Sequence, residues 1–300
     1  MEKEKSLSVG IFFAILGIVL FSAKAVMVKL AYTYNIDSVT LLLFRMMFAF
    51  PFYLGIALWN KAKNKNKLKP NPKDYLWLFF FGFIGYYLAS WFDFEGLRYL
   101  KAGLERIILF VYPTLVVLLS WIFFKKKLTK IQFIAILITY VGVIITFWQE
   151  ISFAGDKMYL GIFLIFMSAL TYASYLVGSG WLIPKFGVMT FTAYSMLVST
   201  FCVVIHYCFV GSFDLWNYPS EVYYLGIAMA LVSTLIPSFL VSMAIDRLGA
   251  SVFSVFGSLG PISTITLAYF FLNEQITNIQ VLGMMVVIAG VTIISKKKKA

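Results

Sequence analysis

Apolar residues along this chain fall into ten runs, most of them about 20 residues long, which are separated by short charged or proline-containing turns. A helix of about 20 residues spans the ~30 Å hydrocarbon core of a bilayer, because each residue adds about 1.5 Å. The pattern predicts an all-α integral membrane protein with ten transmembrane helices. Their expected cores are residues 8–33, 38–59, 75–97, 101–124, 130–148, 158–182, 188–211, 220–244, 249–272 and 278–295. The first run is too long for a signal-peptide core, so we expect it to be retained.

An internal repeat divides the chain: residues 97–146 recur without a gap as residues 245–294, at a fixed offset of 148. The identical pairs include Pro113/Pro261, Gln132/Gln280 and Gly142/Gly290. We therefore expect two five-helix halves, residues 1–148 and 149–300. Because each half has an odd number of helices, the second enters the membrane in the opposite sense. Many secondary transporters have such inverted repeats, with a binding site between the halves near the bilayer midplane.

Composition and charge agree with a membrane protein. The chain is 61% hydrophobic and only 13% charged, far from the average of soluble domains. Its net charge is +12, and its loop lysines and arginines cluster on one predicted side, whereas the other side has only Arg98, Lys101 and Lys157. The positive-inside rule then predicts both termini in the cytoplasm of a cell whose inner (plasma) membrane contains the protein. We expect the lysine clusters to contact the lipid bilayer, and we expect no nucleic-acid partner.

Several residues and their spacing resemble the EamA domain of the drug/metabolite transporter superfamily over nearly the whole chain. They are Phe21-Ser22, Lys29, Thr40, Arg45, Gly249-Ala250-Ser251, Pro261, Glu274, Gly283 and Gly290. The resemblance implies ten helices in two five-helix repeats and, by default, export of amino acids, related metabolites or toxic amphiphiles. Two residues depart from the family pattern. Lys126 stands where the first repeat usually has an acidic residue, and Lys24 stands where a neutral residue is usual.

Ionisable residues within the predicted helices are the strongest site candidates, because each costs about 2.5 kcal/mol or more to insert into a bilayer. From the outer ends, Lys24, Arg45 and Arg106 lie about 14, 10 and 8 Å deep. We predict that these three cations line the substrate path. The alternative is structural: a snorkelling Lys24, and arginines paired with acidic residues of helices 3 and 4. Those acidic residues, which are candidates for ion pairs or for coupling, are Asp93, Glu95 and Glu105.

Aromatic and small polar residues on plausible inner faces could complete the substrate path. The aromatic candidates are Tyr86, Trp91, Tyr112, Tyr172 and Tyr175, each with core packing as the alternative role. In helix 9, Ser251, Ser254 and Ser258 recur at spacings typical of one helix face. We add Ser254 and Ser258 to the predicted path. At the offset of 148, Arg106 corresponds to Ser254 and should also face the interior.

Pro113 and Pro261 occupy equivalent mid-helix positions, where each removes a backbone hydrogen bond. We predict hinges there, with static kinks as the alternative. His206, the single histidine, is a candidate for proton coupling or for an interfacial position. The sequence has no metal-ligand spacing, phosphate-binding loop or catalytic arrangement of Ser, Cys or Asp with a His base, so we predict no metal, no cofactor and no enzyme activity.

The sequence therefore predicts a secondary transporter that moves a small organic metabolite by alternating access. The mixture of intramembrane cations and carboxylates favours an amino acid or a related zwitterion or anion, and an amphiphilic drug is the other class. Export is the expected direction, and protons are a candidate coupling ion. An importer of a metabolite or nucleotide-like solute, or a channel-like facilitator, remains an alternative. The sequence leaves the oligomeric state open.

Overall fold

In a computed structural model, residues 2–63, 70–125, 130–147, 157–257, 259–275 and 277–295 are described, and they form helices joined by short turns. No strand occurs within these ranges. The α-helices are α1 Glu2–Tyr32, α2 Ser38–Lys63, α3 Pro72–Gly82, α4 Ala89–Leu97, α5 Ala102–Leu109, α6 Tyr112–Phe124, α7 Lys130–Phe147, α8 Met158–Phe186, α9 Val188–Val210, α10 Ser220–Ala230, α11 Ile236–Leu248, α12 Ala250–Phe256, α13 Leu259–Leu272 and α14 Asn278–Ser295. Two π-helical segments, Phe83–Leu88 and Leu231–Leu235, connect α3 to α4 and α10 to α11.

Eight segments of the described chain are long and apolar enough to cross a membrane. They are Leu7–Tyr32, Ser38–Lys61, Pro72–Leu97, Ala102–Phe123, Met158–Phe186, Val188–Val210, Ser220–Leu248 and Ala250–Leu272. The remaining two of the ten predicted helices coincide with α7 and α14, whose apolar parts, Phe133–Ile145 and Asn278–Gly290, are shorter. The structure thus has an all-helical membrane architecture with eight clear candidate crossings.

The offset found in the sequence also relates the irregular backbone of the two halves. The π-helical segments begin at Phe83 and Leu231, which are 148 residues apart. The same offset joins the starts of α5 and α12, and those of α7 and α14. Lys125 and Asn273, again 148 apart, both adopt left-handed backbone conformations at the ends of helices. The repeat therefore extends to local geometry, including positions where the amino acids differ.

Helix packing follows a pseudo-twofold axis. Helix α1 packs against α11 and α13, and its counterpart α8 packs against α4 and α6. Helices α2 and α9 pack on each other, as do α7 and α14. Each of these pairs joins one half to the other, so the halves interlock and their shared interface lies at the centre of the molecule.

The contact between α7 and α14 depends on small residues placed symmetrically. A Cβ atom added at Gly142 would lie 2.9 Å from the carbonyl oxygen of Gly283, and one added at Gly290 would lie 2.9 Å from that of Ala135. Both distances are too short for real side chains. Gly142 and Gly290 are repeat equivalents, and so are Ala135 and Gly283. Small residues of this kind let helices approach closely in a membrane.

Candidate functional site

A closed cavity lies at the interface of the two halves. Its walls come from α1, α2, the first π-helical segment and α4 in the first half, and from α8, the second π-helical segment and α11 in the second half. The lining residues are Phe21, Arg45, Tyr86, Ser90, Tyr172, Ser233, Thr234, Pro237, Ser238 and Val241. Its volume of about 10 Å³ has room for about one water molecule. A solute larger than water does not fit in the cavity as the structure has it.

Two pairs of repeat-equivalent residues line this cavity. Tyr86 corresponds to Thr234 and Ser90 to Ser238 at the offset of 148. Tyr86 and Thr234 both lie within the π-helical segments, whose irregular hydrogen bonding is frequent at functional sites. The cavity therefore lies on the pseudo-twofold axis, and its two walls share a serine at one pair of equivalent positions but differ in chemistry at the other.

Arg45 is the cation of the cavity wall. Its residue is 1% exposed, its Nη2 donates a 2.7 Å hydrogen bond to Ser90 Oγ, and its guanidinium carbon lies 4.8 Å from the ring centre of Phe94. Among the described residues, neither Arg45 Nε nor Thr234 Oγ1 has a hydrogen-bond partner, although both are buried. Since buried polar groups are almost always hydrogen-bonded, these two groups can bind a ligand in the cavity.

Four of the predicted aromatic residues, all except Trp91, form a connected cluster with Phe21 at one side of the cavity. Tyr172 stacks on Phe21 with ring centres 6.2 Å apart and makes an edge contact with Tyr112 at 5.3 Å. Tyr175 contacts both Tyr172 and Tyr86, at 6.4 and 4.7 Å. Of the five, Phe21, Tyr86 and Tyr172 line the cavity, whereas Tyr112 and Tyr175 support them from behind.

Three ionisable side chains meet beside the cavity, and we refer to Lys24, Asp93 and Glu105 as the buried triad. Lys24 Nζ lies 2.5 Å from Asp93 Oδ2 and 3.9 Å from Glu105 Oε1. The three residues are 4%, 1% and 0% exposed. The contact between Lys24 and Asp93 has the distance of an ion pair but not the alignment of a hydrogen bond. Within the described part of the chain, no carboxylate oxygen of Asp93 or Glu105 accepts a hydrogen bond.

Arg106 lies between the buried triad and the second half. Its Nη2 donates a 3.2 Å hydrogen bond to Ser22 Oγ, and its guanidinium carbon lies 5.7 Å from the ring centre of Phe21. Lys24 Nζ lies 5.0 Å from the same ring centre. Phe21 therefore contacts the cavity on one side and two buried cations on the other.

The other predicted site residues that the structure describes lie outside the cavity lining. Glu95 Oε1 accepts a 2.9 Å hydrogen bond from Arg98, and Trp91 packs edge-on against His206 on α9, with ring centres 5.3 Å apart. Ser254 is buried on α12, and its hydroxyl donates to the carbonyl of Ser251. Ser258 lies outside the described residues. Pro113 and Pro261 lie in the first turns of α6 and α13, just after the breaks that follow α5 and α12.

One end of the helix bundle is closed by a contact between the two halves. The backbone N–H groups of Ala102 and Gly103, at the start of α5, donate to Glu274 Oε1 and Oε2 at 2.8 and 3.0 Å. A carboxylate at a helix N-terminus is favourable because it meets the positive end of the helix dipole. At the same end, Lys29 Nζ donates to the carbonyl oxygens of Leu97 and Leu100, each at 3.1 Å.

The opposite end is closed by an ion pair, since Lys185 Nζ lies 2.6 Å from Asp74 Oδ1. Lys185 belongs to the last turn of α8, and Asp74 to the first turn of α3. Lys185 also lies 4.1 Å from the ring centre of Trp181. The two halves are therefore in contact at both ends of the bundle, with the central cavity between these ends.

Several cavity residues were missed by the sequence analysis. Ser90, Ser233, Thr234, Pro237, Ser238 and Val241 were not predicted. The signal was available for two of them, because extending the offset of 148 upstream of residue 97 pairs Ser90 with Ser238. Ser233 and Thr234 had no such signal, since their repeat equivalents, Gly85 and Tyr86, differ in chemistry.

A duplicated helical membrane fold with a small cavity between its halves is typical of a multi-pass membrane transporter. The chain belongs to the EamA-like transporter family, whose profile matches residues 8–148 and 159–296. It is similar to the uncharacterized transporter YcbK of Bacillus subtilis (strain 168), with 29% identity over 290 residues, 94% of this chain and 91% of that protein. An uncharacterized transporter of Archaeoglobus fulgidus is 25% identical over 236 residues, 75% of this chain and 79% of that protein. A solved crystal structure matches with a TM-score of 0.70, covering 96% of this chain and 97% of its own, and its 14% identity shows the fold alone.

Proposed function

We propose that this protein is a secondary transporter for a small organic anion or zwitterion with a carboxylate group. The proposal depends on one observation, the small cavity between the halves, at which Arg45 Nε and Thr234 Oγ1 are buried without a hydrogen-bond partner in the described chain. A guanidinium presents its N–H groups in a planar fork that fits a carboxylate. A carboxylate that binds Arg45 can accept from Nε, and Thr234 can donate to the same ligand.

The other walls of the cavity indicate the remainder of the solute. Phe21, Tyr86 and Tyr172 provide aromatic surface, and Ser233 and Ser238 provide hydroxyl groups. Such a mixture suits a compact solute that has both apolar and polar parts. Amino acids and small carboxylic acids have this chemistry.

For the transport cycle we propose alternating access between two halves, residues 1–148 and 149–300. In this scheme α7 and α14 also cross the inner (plasma) membrane, giving ten crossings with both termini in the cytoplasm. The contact of Glu274 with α5 then closes the outer end, and the pair of Lys185 and Asp74 closes the inner end. Pro113 and Pro261 lie beside helix breaks, where bending is easy. We propose export as the direction, on the basis of the resemblance to the family.

Uptake into proteoliposomes tests the proposed substrate class. Labelled alanine, glutamate and succinate are compared with choline, a small cation without a carboxylate, with protein-free liposomes as the control. We expect saturable flux of at least one carboxylate and none of choline. Saturable flux of choline alone, or flux that never saturates, would contradict the proposal, and the second result would favour a channel-like facilitator.

Release of the outer closure should open the cavity from that side. Replacing Glu274 by alanine removes both acceptors at the start of α5, so we expect a severalfold faster reaction of a cavity cysteine with a membrane-impermeant thiol reagent added outside. The cysteine is introduced as Ser233→Cys after Cys202→Ala and Cys208→Ser. Glu221→Gln, a change at an exposed residue of α10, is the matched control. An unchanged labelling rate in Glu274→Ala would show that this contact does not close the outer end.

A further inference from the structure

The three ionisable groups of the buried triad do not line the cavity, and alternating access of a single solute does not require them. We propose that Glu105 is a proton-binding site that couples solute movement to a proton gradient, an inference that rests on the proposed transporter function. The inference follows from how Lys24, Asp93 and Glu105 are arranged around one another and around the cavity.

One ammonium group faces two carboxyl groups in the triad. Lys24 Nζ is in ion-pair contact with Asp93 at 2.5 Å, but it lies 3.9 Å from Glu105. Glu105 is fully buried, and neither of its oxygens accepts a hydrogen bond from any described residue. An ionised carboxylate in that position has little compensation for its lost hydration, and a second negative charge nearby opposes its ionisation further. The arrangement therefore fits a protonated, neutral Glu105 beside an ion pair of Lys24 and Asp93.

The other charged groups around the triad do not supply the hydrogen bond that the carboxyl oxygens of Glu105 lack within the described chain. Arg106 follows Glu105 on α5 and acts on it electrostatically, but its Nη2 donates to Ser22 on α1. Arg45 on α2 faces Asp93 and donates to Ser90 instead. Helix α8 contributes Tyr172, which faces Arg106. Glu274, from the turn after α13, caps the first turn of α5 at Ala102 and Gly103.

Two short connections join the triad to the cavity. On α1, the Phe21 ring lines the cavity and contacts Lys24. On α4, Ser90 lines the cavity, accepts a hydrogen bond from Arg45 and lies one helical turn before Asp93. A bound carboxylate that draws Arg45 away from Ser90 therefore changes the surroundings of Asp93. This change alters whether the ammonium group of Lys24 pairs with Asp93 or with Glu105.

The position of Glu105 gives its proton a route out of the membrane. Glu105 lies in the first turn of α5, at the end held by Glu274. When that contact opens, water reaches the carboxyl group, which exchanges its proton with water. The deprotonated carboxylate shares Lys24 with Asp93. Binding of a proton from the outer side at this stage, and its transfer to water on the inner side at the other stage of the cycle, carry one proton inward for each cycle of export.

Infrared difference spectroscopy of the purified full-length protein tests the proton site without any solute. At neutral pH, wild type and the control Glu221→Gln should show the carbonyl stretch of a protonated carboxylic acid, shifted in D₂O. Glu105→Gln should lose this band. Asp93→Asn should lose it as well, because Lys24 is then free to pair with an ionised Glu105. A wild type without the band, or a band that persists in Glu105→Gln, would overturn the proposal. Because two different substitutions should remove the band, misfolding of one leaves the test intact.

Flux measurements then test the coupling. In proteoliposomes loaded with whichever of alanine, glutamate or succinate the wild type exchanges, an imposed pH gradient should drive net accumulation by wild type and by Glu221→Gln. Glu105→Gln should lose the response to the gradient. A full response in Glu105→Gln would overturn the coupling role. If the wild type exchanges none of these solutes, the proposed function fails, whereas the infrared band still decides whether Glu105 holds a proton.

Discussion

Replacing Arg45 by glutamine is expected to lower kcat/KM for carboxylate uptake by about 30-fold or more. Loss of one partner from a buried, charge-assisted hydrogen bond costs about 2–5 kcal/mol, and each ~1.4 kcal/mol is a factor of ten. Arg45 is 1% exposed and lines the cavity, and its Nε is unpaired within the described chain, so a bound carboxylate has a direct partner to lose.

Replacing Arg45 by lysine tests whether carboxylate binding depends on positive charge alone or also on the planar shape of the guanidinium. Arg45→Lys keeps the positive charge but loses the planar fork, and a point charge cannot bind a carboxylate through two parallel N–H groups. We expect its uptake to lie between wild type and Arg45→Gln. The matched control is Arg247→Gln, in which an exposed arginine on α11, bonded to the carbonyl of Met243, is changed in the same way. Wild-type kcat/KM in Arg45→Gln would place the solute site elsewhere.

Much of the fold was predictable because membrane insertion leaves strong periodic signals. Runs of about 20 apolar residues indicate helices that are long enough to cross the hydrocarbon core of a membrane. Eight of the ten predicted runs are long apolar helical segments in the structure. Sequence patterns could not show the two π-helical segments. Leu231–Leu235 and Phe83–Leu88 contain no proline, and what they share is position in the repeat. The first π-helical segment lies against the second half, where the Tyr175 side chain packs directly on Gly85, a contact between distant helices that sequence patterns do not reveal.

The cavity was only partly predictable, because the cost of burying a charge identifies unusual residues but not their partners. Depth in the membrane singled out Lys24, Arg45 and Arg106, and all three are buried. Lys24 has no acidic residue near it in the sequence, yet it pairs with Asp93 on α4. Contacts between helices that are distant in the chain follow no fixed sequence spacing, so the sequence could not reveal this partner. Insertion cost could not identify the serines of the cavity. A hydroxyl inside a helix can donate a hydrogen bond to the backbone of the same helix, so placing Ser233 in the membrane costs little free energy.

Replacing Lys24 by methionine is expected to lower the free energy of unfolding by about 3–5 kcal/mol, because it leaves Asp93 and Glu105 buried without a cation in contact. Reversible unfolding in mixed detergent micelles, followed by circular dichroism, measures this loss. Lys185→Met is the matched control, since it removes a lysine from a partly exposed ion pair and should cost much less. Equal losses in the two variants would mean that the environment of Lys24 is well hydrated.

A second substitution separates the structural role of Lys24 from its role in transport. In Lys24→Met/Asp93→Asn the ion pair is replaced by two uncharged side chains of similar size, and such replacements of buried pairs are often neutral or stabilising. We expect the double variant to recover most of the stability lost in Lys24→Met. The carboxylate of Glu105 then has no ammonium group to pair with when the site closes again, so uptake should respond much less to a pH gradient. Recovery of that response together with stability would assign the triad a purely structural role, because a coupling site cannot work after its counter-ion has been removed.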